Sequence, residues 1–408
     1  MLGTLHTSRA AGDALRNKPA RPMGRRGGQG AAPLLLLPLR LAAAAAEPRP
    51  EPPLAAHGGA ELRFAAGWAQ WRPAGPEGDP CRRDAGPWMP RYHGRRLGEL
   101  TLPGTHDSGS YTLSKRLIPG AFGPDLEAAI EVAEELGIPV DRIITPWALS
   151  TQCDVLQQLR AGARYVDVRA GWDGALGERG EWVVHHAEEG VRVEAVLRQV
   201  AAFLAQRPTE IVLVELSHFY GSPGPGARRA LAELAVAVFG DLLHPKRRGL
   251  GATLGELVAA GTRAVVTFEF EDDETAAEFP TLWPADTFLN TYADTDDLEA
   301  MEGFNRRQIE AFDGPDRPGP RQLAKISWTL TPTGRAVRRW LVPGRRHPHS
   351  LVELADGANA ALPAFAAAEA AGKRRLMGNV LLLDAIEASA ALAVAQQIND
   401  AWSGGGPA

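Results

Sequence analysis

From about Glu61 onward, short aliphatic or β-branched runs alternate with longer stretches whose apolar residues recur at helical spacing. RYVDVRA (Arg164–Ala170), EWVVHHA (Glu181–Ala187), IVLVELSHF (Ile211–Phe219), RAVVTFEF (Arg263–Phe270), KISWTL (Lys325–Leu330) and NVLLLDA (Asn379–Ala385) read as strands. Helices are expected over Val193–Arg207, stopped by Pro208, then near Arg228–Leu243, Leu298–Phe312 and Ser350–Ala371, with SAALAVAQQIND closing the chain. Strand and helix in alternation imply a parallel sheet covered by helices. With no second composition shift over residues 61–408, a single closed α/β barrel fits this pattern better than two small domains.

Composition narrows the function classes. Hydrophobic residues are 45% and charged residues 23% of 408, the balance of a globular chain rather than a disordered or fibrous one. A net charge of −5 argues against general nucleic-acid binding, which needs a basic surface. Cys81 and Cys153 are too few for a disulfide framework or a four-thiolate zinc site; one bridge is possible if the protein is exported. Charge is uneven: residues 1–46 carry seven Lys or Arg against Asp13 alone, a net +6. Within that segment PLLLLPLRLAAAAA (Pro33–Ala46) is too short to span a bilayer, which takes about 20 apolar residues. Residues 1–60 thus form a basic, low-complexity leader, either a secretory or organelle-targeting segment or an N-terminus with no such role. Without export, the expectation is a cytoplasmic protein in peripheral membrane contact.

Candidate chemistry gathers at strand ends. In LTLPGTHDSGSY (Leu100–Tyr111), Pro103 and Gly104 are expected to break a strand, leaving Thr105, His106 and Asp107 on a strand-to-loop corner. Asp167 and Arg169 stand two apart on a strand and so face one cavity. Of His185 and His186, alternation lets only one face inward. Asp384 is a lone carboxylate after an apolar strand. Singly, each has an ordinary packing or capping role. Together, two histidines, an arginine and two aspartates supply the base, acid, clamp and orienting carboxylates of displacement at phosphorus. The acidic run EFEDDE (Glu269–Glu274) lacks calcium-loop spacing and reads as a solvated loop.

PGTHDS, GARYVDVR, VVHH and PTEIVLVELSHFYG, followed by Trp283–Pro284, Leu330–Pro332 and NVLLLDAIE, resemble the X domain of phosphatidylinositol-specific phospholipases C. The resemblance is to small X-domain-containing proteins and bacterial enzymes, over roughly Glu99–Asp400. It implies an irregular TIM-type barrel and cleavage of an inositol phospholipid at a membrane surface. It puts the base on His106 with Asp107 beside it, the phosphate clamp on Arg169, the acid on His186 and the base-orienting carboxylate on Asp384. Tyr292 falls where bacterial members stack an aromatic on inositol, and Asn290 where they bind it with a carboxylate. Two departures stand out: Ala187 replaces a glycine after the acid histidine, and Ser217–His218 replaces an inositol-binding lysine.

Large eukaryotic members hold calcium with an asparagine beside the base and carboxylates of the YxDxR strand. Here those positions are Asp107 and Arg169, and a guanidinium cannot ligate a cation. The resemblance therefore implies a metal-independent enzyme with no cofactor. The alternatives are a glycerophosphodiesterase-like barrel, whose His-Arg-Gly start and metal glutamates are missing, and a catalytically silent headgroup-binding module. Net acidity leaves docking to a local rim, for which Leu117, Ile118 and Phe122 are candidates.

Overall fold

A computed structural model describes residues 79–402 apart from 119–129, 131–136, 138, 140, 175, 177–179, 222–223, 315–317, 334–347 and 371–376. The basic leader (1–60) and Phe122 lie outside the described residues. Eight parallel strands form the centre: β1 (Leu102–Thr105), β3 (Tyr165–Asp173), β6 (Val212–Tyr220), β7 (Ala264–Phe268), β8 (Leu282–Pro284), β9 (Phe288–Leu289), β10 (Leu323–Ser327) and β11 (Val380–Leu383). Their spatial order is β8-β7-β6-β3-β1-β11-β10-β9, so last strand meets first at the β11–β1 pair. That is the (β/α)-barrel order. It is irregular because β8 and β9, joined only by the turn Ala285–Thr287, do not pair among the described residues.

Strand alternation sorts the side chains. Val166, Val168, Val214, Leu216 and Val266 face outward into a core shared with α3 (Val193–Gln206), α4 (Pro225–Phe239) and α8 (Leu351–Ala370). The other face of each strand changes character along its length. It is apolar at the N-terminal end (Tyr165, Leu213, Val265, Leu323, Val380) and charged toward the C-terminal end (Asp167, Arg169, Glu215, Lys325, Asp384). Burying each large side chain of the apolar layer is worth roughly 1.5–3 kcal/mol, so that end of the barrel stabilises while the other carries polar groups.

The structure corrects three expectations. Pro103 and Gly104 lie inside β1 rather than ending it. The Pro103 carbonyl accepts from Arg164 N, so its missing N–H faces β3, where pairing starts only at Gly104 and no ladder bond is lost. Gly104 is required by close approach, since a Cβ there would sit 2.7 Å from Val380 Cγ1. Second, β4 (Glu181–His186) is not a barrel strand. It turns back antiparallel on β3 and, with β5 (Glu188–Arg192) and the polar β2 (Leu113–Leu117), builds a small sheet beyond the C-terminal end of β3. Third, Ile118 is only 2% exposed and lies against Gly171, so it is no membrane rim.

Cys81 and Cys153 are bridged, 72 residues apart in sequence. The segment so anchored holds both corners of the site described next. Ser150 Oγ donates to the Asp107 carbonyl, the Ser150 carbonyl accepts from Ala385 N, and Gln158 Nε2 donates to the carbonyls of Cys153 and Ser108.

Candidate active site

β1, β4 and β11 each deliver one functional side chain at or just past their last residues, and β3 delivers one from its middle. His106 follows β1, Arg169 lies on β3, His186 ends β4 and Asp384 follows β11. A left-handed residue follows His106, His186 and Asp384 at once, and another sits within the adjoining β6. Asp107 (φ 42°), Ala187 (φ 61°), His218 (φ 54°) and Ala385 (φ 47°) are all left-handed without being glycine. Such backbone costs about 1–2 kcal/mol per residue and is tolerated where the surroundings over-determine it. Position 187 takes a conformation that glycine adopts without steric cost, so the alanine there carries the strain itself.

His106 Nδ1 bonds Asp384 Oδ1 at 2.8 Å, and Arg169 Nη2 reaches His106 Nε2 at 2.8 Å. An arginine can only donate, so this geometry needs a lone pair on Nε2 and a proton on Nδ1. His186 has the opposite surroundings. Its Nδ1 faces the Ala148 carbonyl at 2.8 Å and its Nε2 faces Asp107 Oδ2 at 3.3 Å. Two oxygens, both acceptors, suit a ring protonated on both nitrogens.

Asp107 is fully buried and central. Its Oδ2 is 3.3 Å from Nε2 of both histidines, and its Oδ1 is 2.7 Å from Arg169 Nε, as charges without hydrogen-bond alignment. Burial works against its charge, but Arg169 and the two histidines outweigh it and hold the carboxyl well below the usual range. Burial also opposes charge on His106, yet Asp107 and Asp384 raise it to about 9. Burial lowers His186 below its ordinary value despite Asp107. Electrostatics thus favour charge on His106, whereas the Arg169 donor at its Nε2 favours a neutral ring there. A guanidinium donor 2.8 Å away leaves no place for a second proton on His106 Nε2 while Arg169 keeps this position. The raised value belongs to the pair, which retains one proton up to about pH 9.

His185 points elsewhere. Its Nε2 meets the His218 carbonyl at 3.0 Å, its ring lies edge-on to Tyr220, and burial lowers it to about 4. Tyr292, 57% exposed, and Asn290, whose Oδ1 accepts from Ser327 Oγ at 3.1 Å, line the same pocket of about 650 Å³ as His106, Arg169 and His186. Asp107 and Asp384 lie behind that wall, at 0% and 1% exposure. Sequence reasoning missed Lys325 and Ser327, which also line the pocket. The available signal was a lone cation in an otherwise apolar strand, with Ser327 two residues on and therefore on the same face.

His106, Asp107 and Asp167 bring ligand atoms within 4.8 Å of one another, a grouping able to hold a cation. Arg169 Nε stands 2.7 Å from Asp107 and 3.8 Å from Asp167, already supplying positive charge to both. The donor set therefore fits a metal poorly while the guanidinium keeps this position.

No protein-family model matches the chain. Among curated proteins it is 25% identical over 271 residues to PI-PLC X domain-containing protein 2 of Homo sapiens, covering 65% of this chain and 83% of that protein. It is 30% identical over 233 residues to PI-PLC X domain-containing protein 1 of Mus musculus, covering 55% and 65%. The chain resembles the PI-PLC X-domain family. Solved structures that align include a phosphatidylinositol-specific phospholipase C of S. aureus (16% identity, TM-score 0.47, 74% of this chain and 97% of that one). Another is that of Listeria monocytogenes (15%, TM-score 0.46, 76% and 95%). For this X-domain relative, the barrel order rests on its own strand pairing, and among the described residues no helix is long and apolar enough to cross a membrane.

Proposed function

We propose that the chain is a phospholipase C-type phosphodiesterase that cleaves phosphatidylinositol-like lipids at a membrane surface, without a metal. The observation that carries this reading is the opposed surroundings of the two histidines around Asp107, one ring facing a donor at Nε2 and the other facing oxygens at both nitrogens. His106, oriented by Asp384, takes the proton of the inositol 2-hydroxyl as its oxygen attacks phosphorus. The bond from phosphorus to the diacylglycerol oxygen breaks, and His186 protonates that oxygen as it leaves. Arg169 neutralises the non-bridging phosphoryl oxygens, and Asp107 stabilises the proton shared by the pair. Tyr292 and Asn290 receive the ring. The products are diacylglycerol and a cyclic inositol phosphate, since nucleophile and phosphorus belong to one headgroup and meet at little entropic cost.

One observation favours a silent headgroup-binding module instead: a proton held on His106 by two carboxylates would leave no base. Phosphorus NMR of early time points with phosphatidylinositol in mixed micelles separates the readings. A cyclic phosphate appearing first is the expected result. An acyclic phosphate appearing first means direct attack by water, and no turnover leaves the binding module.

A further inference from the structure

The floor of the pocket is unlike an ordinary barrel interior, where layers of Val, Ile and Leu fill the centre. Lys325 is 2% exposed there, and its Nζ donates to Glu215 Oε2 and, at 2.9 Å, to Tyr165 Oη. The Tyr165 hydroxyl donates in turn to Glu215 Oε2. Replacing a buried ion pair by apolar residues of similar volume is often neutral or stabilising, so stability alone does not account for this cluster. An ammonium carries three N–H donors. Two of them serve Glu215 and Tyr165; the third has no acceptor among the described residues, on a side chain that lines the pocket.

Resting on the reading of the site as an inositol-lipid phosphodiesterase, we propose that Lys325 is a specificity-determining residue. Its remaining N–H is donated to a ring hydroxyl of the headgroup other than the one His106 serves. A hydroxyl fits better than a ring phosphate. Glu215 already balances the Lys325 charge, and Asp167 adds a second carboxylate to the pocket wall, so the floor offers a hydrogen bond without spare positive charge. Lys325 and Ser327 share one face of β10, Lys325 being the deeper because the strand runs outward toward the catalytic corners. Ser327, bonded to Asn290, continues the same polar wall toward the rim.

The test pairs a residue change with a substrate change. Lys325→Met should raise KM for phosphatidylinositol at least about 10-fold, the worth of a hydrogen bond from a charged donor, with a smaller effect on kcat. Against a series of single-deoxy inositol lipids, the wild-type enzyme should lose about 10-fold on one member. Lys325→Met should lose nothing further on that same member. Because Lys325→Met strands Glu215, Lys325→Met/Glu215→Gln is assayed beside it, and thermal melting shows which variants are folded. If every deoxy penalty persists in the folded variant, Lys325 only packs the floor and the proposal fails, while wild-type turnover leaves the catalytic reading standing. If wild type turns over no inositol lipid, that reading fails instead, and calorimetric titration with myo-inositol 1-phosphate decides this one. Binding at least about 10-fold weaker in Lys325→Met supports it, and equal binding overturns it.

Discussion

The shared proton makes the pH profile of kcat/KM the sharpest probe of the histidine pair. On the proposed mechanism the free enzyme is active when one proton resides on the pair, on His186, with His106 free to accept another. Raising His106 from 6.5 to about 9 represents roughly 3 kcal/mol of preference for the protonated pair, at about 1.36 kcal/mol per pH unit. Its alkaline limb should therefore fall near pH 9, where the last proton leaves. The acid limb should fall below the ordinary histidine value, because burial and the neighbouring charges of Arg169 and His106 lower His186. Asp107 is the largest single charge that raises His106, with Asp384 adding both a charge and a hydrogen bond. Asp107→Asn should then move the alkaline limb down by at least about one pH unit and cost about 10²-fold or more in kcat/KM. Steady-state rates between pH 5 and 10 measure this. An alkaline limb near 6.5, or one that Asp107→Asn leaves in place, would refute the shared-proton argument. Stability carries the same sign. A raised folded-state value contributes fully below 6.5 and is lost as pH rises through about 9, so the melting temperature should decline across that window.

His106→Ala and His186→Ala should each lower turnover by about 10² or more, whereas His185→Ala, with its ring turned to Tyr220, should cost far less. Activity should survive excess chelator, because Arg169 already sits on Asp107; calcium-dependent turnover abolished by chelator would point to Asp107, Asp167 or Glu215 as ligands. Ala187→Gly should change stability by less than about 1 kcal/mol, since relief of about 1–2 kcal/mol of left-handed strain is offset by roughly 0.5–1 in chain entropy and about 0.8 for a buried methyl. Ala187→Val should cost about 2 kcal/mol or more, measured by thermal melting, and a neutral valine would mean that the corner relaxes.

Much of the barrel was legible because buried parallel strands leave continuous aliphatic runs. Ile211–Phe219 and Asn379–Ala385 correspond to β6 and β11 within one or two residues at either end. The unread strands were of two kinds. β8 and β9 are three and two residues long, too short for any period to register. β2 and β5 present polar sequences, LSKRL and EEGVR, whose pairing with each other is a tertiary event with no local signature. Pro103–Gly104 misled because the rule against proline in a central strand assumes a partner on the N–H side, and here that partner starts one residue later.

The corners of the candidate site were legible for a different reason. His106, Arg169, His186 and Asp384 are polar groups at the ends of apolar runs, where a strand has no use for them, and the structure brings all four together with Asp107. Lys325 was hidden because it lies within a strand, where a single cation is easily taken for a register error. What distinguishes it is depth. A charge at a strand terminus can meet water, whereas one beneath the pocket floor must be matched by partners contributed from other strands. Glu215 on β6 and Tyr165 on β3 are 110 and 160 residues away in sequence. No local pattern records such a match, so the polar floor follows from the sequence only once the barrel order has placed β10, β3 and β6 around one axis.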